Sequence, residues 1–532
     1  MSAGRRVVVI GGGLAGITAA LDCAAAGASV TLLEVRRRLG GAAYSFERGG
    51  LEMDNGQHVF LRCCEAYRSL LRRLGSERHV TVQPRLEIPV LAPGCKPYLL
   101  RRSSLPAPLH LAAALARYPH MTVLQRLGAT RAALALMRLK PAEEALDRET
   151  LGAWLARHGQ GPAAIAALWD LVALPTLNVP AADASLALGA FVFRRGLLAS
   201  ADAGDIGFHT GTLADTIGRP AERELRRAGV EVRLGWRAER LEATATGLEV
   251  HGRGGAAAGG QEAEELDSTP DHAADGAGSG LSAEAVVVAL AHTRAGRLLE
   301  PLLGERASVL VGLGTSPIVN LHIVYDRPVC EYGFAAGVGT PVQYLFDRSA
   351  AAGAPEGCQY LAVSLSGAER EMGMSVDALR ERYIPALEQL LPRARGARVE
   401  SFLATREHAA TFRAVPGVAA LRPGPRTSVP GLLLAGSWTA TGWPATLESA
   451  VLSGHAAAAG VLEQLGLVVG AGATAAVGRV TSAPASGGTA PVVRPASSAA
   501  AGGGAPVGPT ASASAMAGAS AQTGATAEGA CG

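Results

Sequence analysis

Aromatic side chains make up only 4% of the 532 residues, and lysine occurs just twice, at Lys96 and Lys140, so arginine carries nearly all the positive charge. The formal balance is +3, which gives no electrostatic reason to expect nucleic acid as a partner. The hydrophobic fraction is 48%, yet no stretch of about 18 uninterrupted apolar residues occurs, so no membrane-spanning helix is expected. The seven cysteines contain no CxxC pair and no zinc-ligand spacing, and no metal is expected. Adjacent Cys63 and Cys64 read as two small buried residues in preference to a redox centre. The apolar run at Val7 is interrupted by three glycines and is not a secretory signal. With an odd cysteine count, that implies free thiols in a reducing cytoplasm.

The length exceeds what one compact core accommodates. Residues 252–282 are rich in Gly, Ala and acidic residues without apolar periodicity and read as a disordered insertion; residues 467–532 read as a disordered low-complexity tail. Between them, Arg5–Ile10 and Ser29–Glu34 read as buried parallel strands flanking a helix at Leu14–Ala26. Leu213–Ala228 reads as an amphipathic helix. Val230–Leu234, Arg237–Ala243 and Leu248–His251 read as a small meander. Further strands are expected at Ala285–Ala289 and Leu432–Ala435, and a terminal helix at Thr446–Leu462. The expected fold class is α/β, with a Rossmann-like dinucleotide-binding domain (1–75, 206–304 and 406–466) interleaved with an α+β substrate domain (76–205 and 305–405).

Gly11-Gly12-Gly13-Leu14-Ala15-Gly16 places GxGxxG between a strand and a helix, the context a dinucleotide fingerprint requires. Gly11 allows the tight turn, Gly13 the approach of a pyrophosphate, and Gly16 close packing of helix on strand. The amides of Leu14 and Ala15 then open the helix toward phosphate charge. Glu34 ends the second strand 18 positions after Gly16, where a carboxylate accepts from a ribose 2′-hydroxyl.

The segment after Glu34 carries a resemblance. Arg36, Gly40 and Gly41 are similar to the ExRxxxGG extension of the amine oxidase and carotenoid desaturase superfamily, with Ala42 where that superfamily usually has arginine. Gly436-Ser437 and Thr446-Leu447 resemble the superfamily's closing flavin motif, with Ser437 where an acidic residue is usual, and they lie about 400 positions downstream. The resemblance implies FAD, held by Gly11, Gly13, Leu14, Ala15, Gly16, Glu34, Arg36, Gly40, Gly41, Gly56, Gln57, Gly436, Ser437, Thr446 and Leu447.

Within that superfamily, Asp54-Asn55-Gly56-Gln57-His58, Pro175-Thr176-Leu177-Asn178, Ala404–Phe412 and Gly442-Trp443-Pro444-Ala445-Thr446 resemble the hydroxysqualene dehydroxylases, also called squalene-associated FAD-dependent desaturases. Membership implies reduction of hydroxysqualene to squalene by hydride from reduced flavin with loss of water, a step feeding hopanoid synthesis. It also implies, as partners, the isoprenoid substrate, the synthase that makes it, and a membrane surface. The location implied is cytoplasmic, peripheral on the inner face of the cell membrane. His58 is the catalytic candidate, as proton donor or as the residue orienting the Asp54–Gly56 turn. His209 reads as a surface loop histidine, and Arg406, Glu407 and His408 as an ion-pair cluster at a domain seam. Trp438 and Trp443 read as cavity wall or ordinary core. Met121–Lys140 reads either as a core-facing helix with solvated arginines, the reading favoured, or as an interfacial helix. Two rivals stay open: a phytoene-type carotenoid desaturase, and a non-catalytic isoprenoid binder of the same fold.

Overall fold

Four short runs rich in Val, Ile and Leu and one alternating segment, scattered from the N-terminus to residue 434, assemble into one parallel sheet. The computed structural model describes residues 5–254 and 279–467. Spatially the strands run Glu231–Leu234, Ser29–Glu34, Arg6–Ile10, Ala285–Val288 and Leu432–Leu434. Every neighbouring pair is parallel, with Val7 opposite Val30 on one side and Ala285 on the other. A strand buried on both faces needs apolar side chains at consecutive positions, as Val7–Ile10 and Val286–Val288 supply. The pleat then sorts them. Val7, Val9 and Leu32 enter the core beneath helices Leu14–Ala25 and Leu447–Leu465, while Val8, Ile10 and Leu33 enter the opposite core.

A second sheet of seven strands is ordered Val399–Thr411, Ser316–Tyr325, Gln359–Ser366, Tyr344–Asp347, Phe334–Gly337, Glu87–Leu91 and Tyr98–Arg101. Its first strand runs unbroken through residues 405 and 406, so no element ends at that expected boundary. Helices Val123–Leu136, Leu151–Arg157, Asp170–Leu177 and Leu186–Phe193 complete this part of the molecule.

Several expectations need correction. Glu231–Leu234 is not a meander strand; it pairs in parallel with Thr31–Glu34 at the edge of the first sheet. The meander is Trp236–Thr244, Gly247–Gly254 and Ser279–Ala283, so the expected insertion at 252–282 begins and ends in strand. Residues 255–278 and 468–532 lie outside the described residues. The helix expected at Leu213–Ala228 is a π-type turn at Ala214–Gly218 followed by α-helix Arg219–Arg227, with Pro220 in its first turn where a missing N–H costs nothing. Helix Val123–Leu136 faces the core through Ala129, Ala132 and Leu136, as the favoured reading has it, but it also leaves Leu124 and Leu127 exposed, which that reading did not include.

Candidate active site

The loops that leave the carboxyl ends of four parallel strands converge. Gly11 and Gly13, Glu34–Arg38, Ala289–Arg294 and Gly436–Trp438 all line one cavity of about 2570 Å³. In an open α/β sheet this edge is where ligands bind. The facing wall comes from the seven-stranded sheet, through Ile318, Asn320, Ser364 and residues 403–412. The rest of the lining is rich in apolar and aromatic side chains, among them Tyr118, Trp169, Phe191, Phe193, Phe334 and Phe346. Drug-sized ligands occupy about 300–1,000 Å³, so this space suits a dinucleotide together with a second, bulky apolar molecule.

Of the residues expected to hold the cofactor, Gly11, Gly13, Leu14, Ala15, Glu34, Arg36, Gly40, Gly41, Gly56, Gln57, Gly436, Ser437, Thr446 and Leu447 all line this cavity. Gly16 does not. A Cβ there would sit 1.9 Å from the Gly11 carbonyl oxygen, so it serves the packing of helix on strand. Gly41, at φ +61°, passes so near Gly13 that a Cβ would lie 2.8 Å from the Gly13 Cα. Glu34 is buried, with Oε2 accepting from Gly12 N–H at 2.6 Å and Oε1 from Arg36 N–H at 2.8 Å. Gly13 caps helix Leu14–Ala25 without a side-chain cap bond, leaving its first amides toward the cavity. Thr446 caps the second helix by accepting from Ser449 N–H at 3.2 Å. The Gln57 amide nitrogen is buried and unpartnered. A glycine cradle, a helix N-terminus and a fixed carboxylate together fit an FAD dinucleotide.

The Asp54–His58 turn is held by its carbonyls. Asn55 O accepts from Asn320 Nδ2 at 2.9 Å and from Thr405 Oγ1 at 2.8 Å; Gly56 O is 3.0 Å from His58 Nδ1; His58 O is 2.7 Å from His209 Nδ1. A carbonyl only accepts, so both Nδ1 atoms carry the proton. His58 Nε2 is then a lone pair. Burial lowers the His58 pKa, opposed by its bond to Gly56 and by Asp54 and Glu407. The turn-orienting role expected of His58 is thus visible in its Nδ1 bond. A Cβ on Gly56 would lie 2.8 Å from Asn320 Nδ2, so the turn also needs glycine there for its approach to that side chain.

His209 is buried, not a surface residue. It ends strand Ile206–His209, and its Nε2 accepts from the Tyr67 hydroxyl at 2.7 Å. Burial pushes its pKa down to about 3. The expected ion-pair cluster is also different: Glu407 accepts from Asn55 Nδ2 at 2.9 Å, and Arg406 donates to the Met374 carbonyl at 2.8 Å. Trp438 and Trp443 both line the cavity; Trp438 Nε1 donates to Leu290 O at 2.9 Å. Cys63 and Cys64 are buried free thiols.

Four supporting residues carry no local sequence signal. Arg348 pairs with buried Asp54 at 2.9 Å and donates to the Gly211 carbonyl. His322 completes a directed chain, from Tyr360 hydroxyl to Nδ1 at 2.6 Å, then Nε2–H to Thr405 Oγ1 at 3.0 Å, ending on Asn55 O. Glu448 accepts from the Ala66 and Tyr67 amides, capping helix Glu65–Arg73. Arg422 donates to the carbonyls of Ser437, Trp438 and Thr439; burial pushes its pKa down to about 10.

Such a cavity, at the carboxyl edge of a doubly wound sheet, belongs to an FAD-dependent oxidoreductase. The model of the "flavin containing amine oxidoreductase" family matches residues 14–462. Hydroxysqualene dehydroxylase of Rhodopseudomonas palustris is 30% identical over 467 residues, covering 85% of this chain and 97% of the relative. That of Sinorhizobium fredii is 27% identical over 463 residues, with 85% and 97% covered. Among solved structures, cyclohexylamine oxidase from Brevibacterium oxydans superposes with a TM-score of 0.61 at 19% identity, covering 87% of this chain and all of that one, a likeness of fold. The chain belongs to the flavin-containing amine oxidoreductase family and, within it, to the hydroxysqualene dehydroxylases.

Proposed function

We propose that the protein reduces hydroxysqualene to squalene with loss of water, as a step toward hopanoids. The observation that carries this reading is a single cavity whose lining includes both the glycine cradle at Gly11–Gly13 and a set of aromatic and aliphatic side chains. Reduced FAD, when bound, supplies the hydride. The cofactor residues named above hold it, with Gly16 acting through packing alone, and the segments built around the two sheets form the cofactor and substrate domains.

In the reaction the allylic C–O bond breaks with its electron pair on oxygen, oxygen takes a proton and leaves as water, and hydride closes the new C–H bond. The apolar wall excludes water that would otherwise capture the carbon. The faces of Tyr118, Trp169 and the phenylalanines place negative quadrupole around the developing cation. His58 is the polar group assigned to the leaving hydroxyl. In its neutral form Nε2 accepts from that hydroxyl; once the ring is protonated, Nε2–H gives the proton to the departing oxygen. Asp54 and Glu407 favour the charged ring.

The test is anaerobic incubation of chemically reduced enzyme with hydroxysqualene, followed by product analysis. Squalene is expected. No squalene, together with phytoene desaturation by the oxidised enzyme, would overturn the assignment.

A further inference from the structure

Helix Val123–Leu136 leaves most of its large aliphatic side chains exposed. Ala129 and Ala132 are its fully buried inner residues beside Leu136, while Val123 is 62%, Leu124 80%, Leu127 58% and Leu134 46% exposed. Leu105 and Leu109, on the chain leading into the preceding short helix, are 50% and 55% exposed. Single exposed leucines are ordinary, but a contiguous group marks a surface that meets something apolar. Two observations say what. From Ile88 to Ala142 the sequence has no acidic residue and eight cations, and of these Arg117, Arg131 and Arg138 form no ion pair among the described residues. Leu109 and Leu134, exposed outside, also line the large cavity.

We propose that this face, Leu105–Leu109 with Val123–Leu136, docks on an anionic bilayer surface, and that the isoprenoid enters the cavity between Leu109 and Leu134. The leucines enter the acyl boundary and the arginines meet headgroup phosphates. A helix whose inner face is mostly alanine, with Leu136 at its end, packs close to the body of the protein, so its other leucines serve the outer face. The identity of the entering molecule rests on the isoprenoid reading above; the docking rests on the surface alone.

The experiment is vesicle flotation of the full chain with phosphatidylcholine alone and with added phosphatidylglycerol. The wild type, L124S/L127S and R117Q/R131Q/R138Q are compared, none of these residues being in the cavity wall. The wild type is expected to float with anionic vesicles. The triple variant should lose about fivefold in partitioning to anionic vesicles for each arginine removed, and the leucine pair should lose binding to them as well. Both variants should turn over detergent-dispersed substrate at the wild-type rate, and vesicle-borne substrate poorly. A wild type that stays in the soluble fraction, variants that float as well as it does, or dimerisation through these leucines would each overturn the docking. Failure of the wild type with detergent-dispersed substrate would instead strike the proposed function and leave docking untouched.

Discussion

Glu34 ties the second strand to the glycine turn by placing one carboxylate oxygen on the Gly12 amide and the other on the Arg36 amide. In Glu34→Gln one of those oxygens becomes an NH₂ facing an N–H. Losing a charge-assisted bond costs about 1.5–3 kcal/mol, so the FAD dissociation constant should rise by about tenfold to a hundredfold in a flavin-fluorescence titration. At His58 the consequence falls on rate. The charged ring is the proton donor and burial lowers its pKa, so kcat should rise as pH falls through that lowered value. His58→Gln should flatten the acid limb and lower kcat by about 10²–10⁴-fold; a variant that keeps the wild-type pH profile would remove His58 from the chemistry. The glycines and Glu34 were legible because their roles are set within a few residues. Arg348, His209 and His322 were not: Arg348 meets Asp54 across 294 positions and His209 meets His58 across 151, and no local pattern announces such a partner.

At the scale of elements, the Asp54–His58 turn is clamped from two sides by buried histidines on different strands, His209 and His322. Burial pushes both down to about 3 from 6.5. Above 6.5 native and unfolded chains hold the same protons at these rings. Below it the unfolded chain takes up protons that the fold refuses, so stability falls as pH drops toward 3, by up to about 1.4 kcal/mol per pH unit for each ring. Urea midpoints measured from neutral to mildly acid pH should follow that slope, and His322→Gln should make it shallower. Arg348 joins the same turn to the loop after Tyr344–Asp347. Removing one partner of a buried pair costs about 3–5 kcal/mol, so Arg348→Met should lower the urea midpoint far more than Arg219→Met, whose pair is half exposed. Element legibility followed the same rule of locality. Strands buried on both faces announce themselves by unbroken Val, Ile and Leu. Glu231–Leu234 alternates, and alternation says that one face is buried without saying in which sheet.

For the whole molecule, cofactor and fold support one another. The cavity is lined by segments within residues 11–15, 34–44, 289–297 and 436–448, so a group bound there bridges chain ends as well as faces. FAD at a hundred times its dissociation constant should stabilise the native state by about 2.7 kcal/mol, read as a rise in melting temperature. A colourless protein whose melting ignores added FAD would contradict the cofactor assignment. The interleaved sheet also has a consequence for synthesis. Its central strand, Arg6–Ile10, can pair with Ser29–Glu34 almost at once, but the strand that completes the far edge ends at Leu434. At about 5–20 residues per second the ribosome needs roughly 20–85 s to cover that gap. Throughout that interval a nascent chain exposes a half-built apolar sheet that nothing downstream can cover. Cofactor loading should therefore be post-translational, and chains that stall before Gly436 are natural clients for chaperones and proteases.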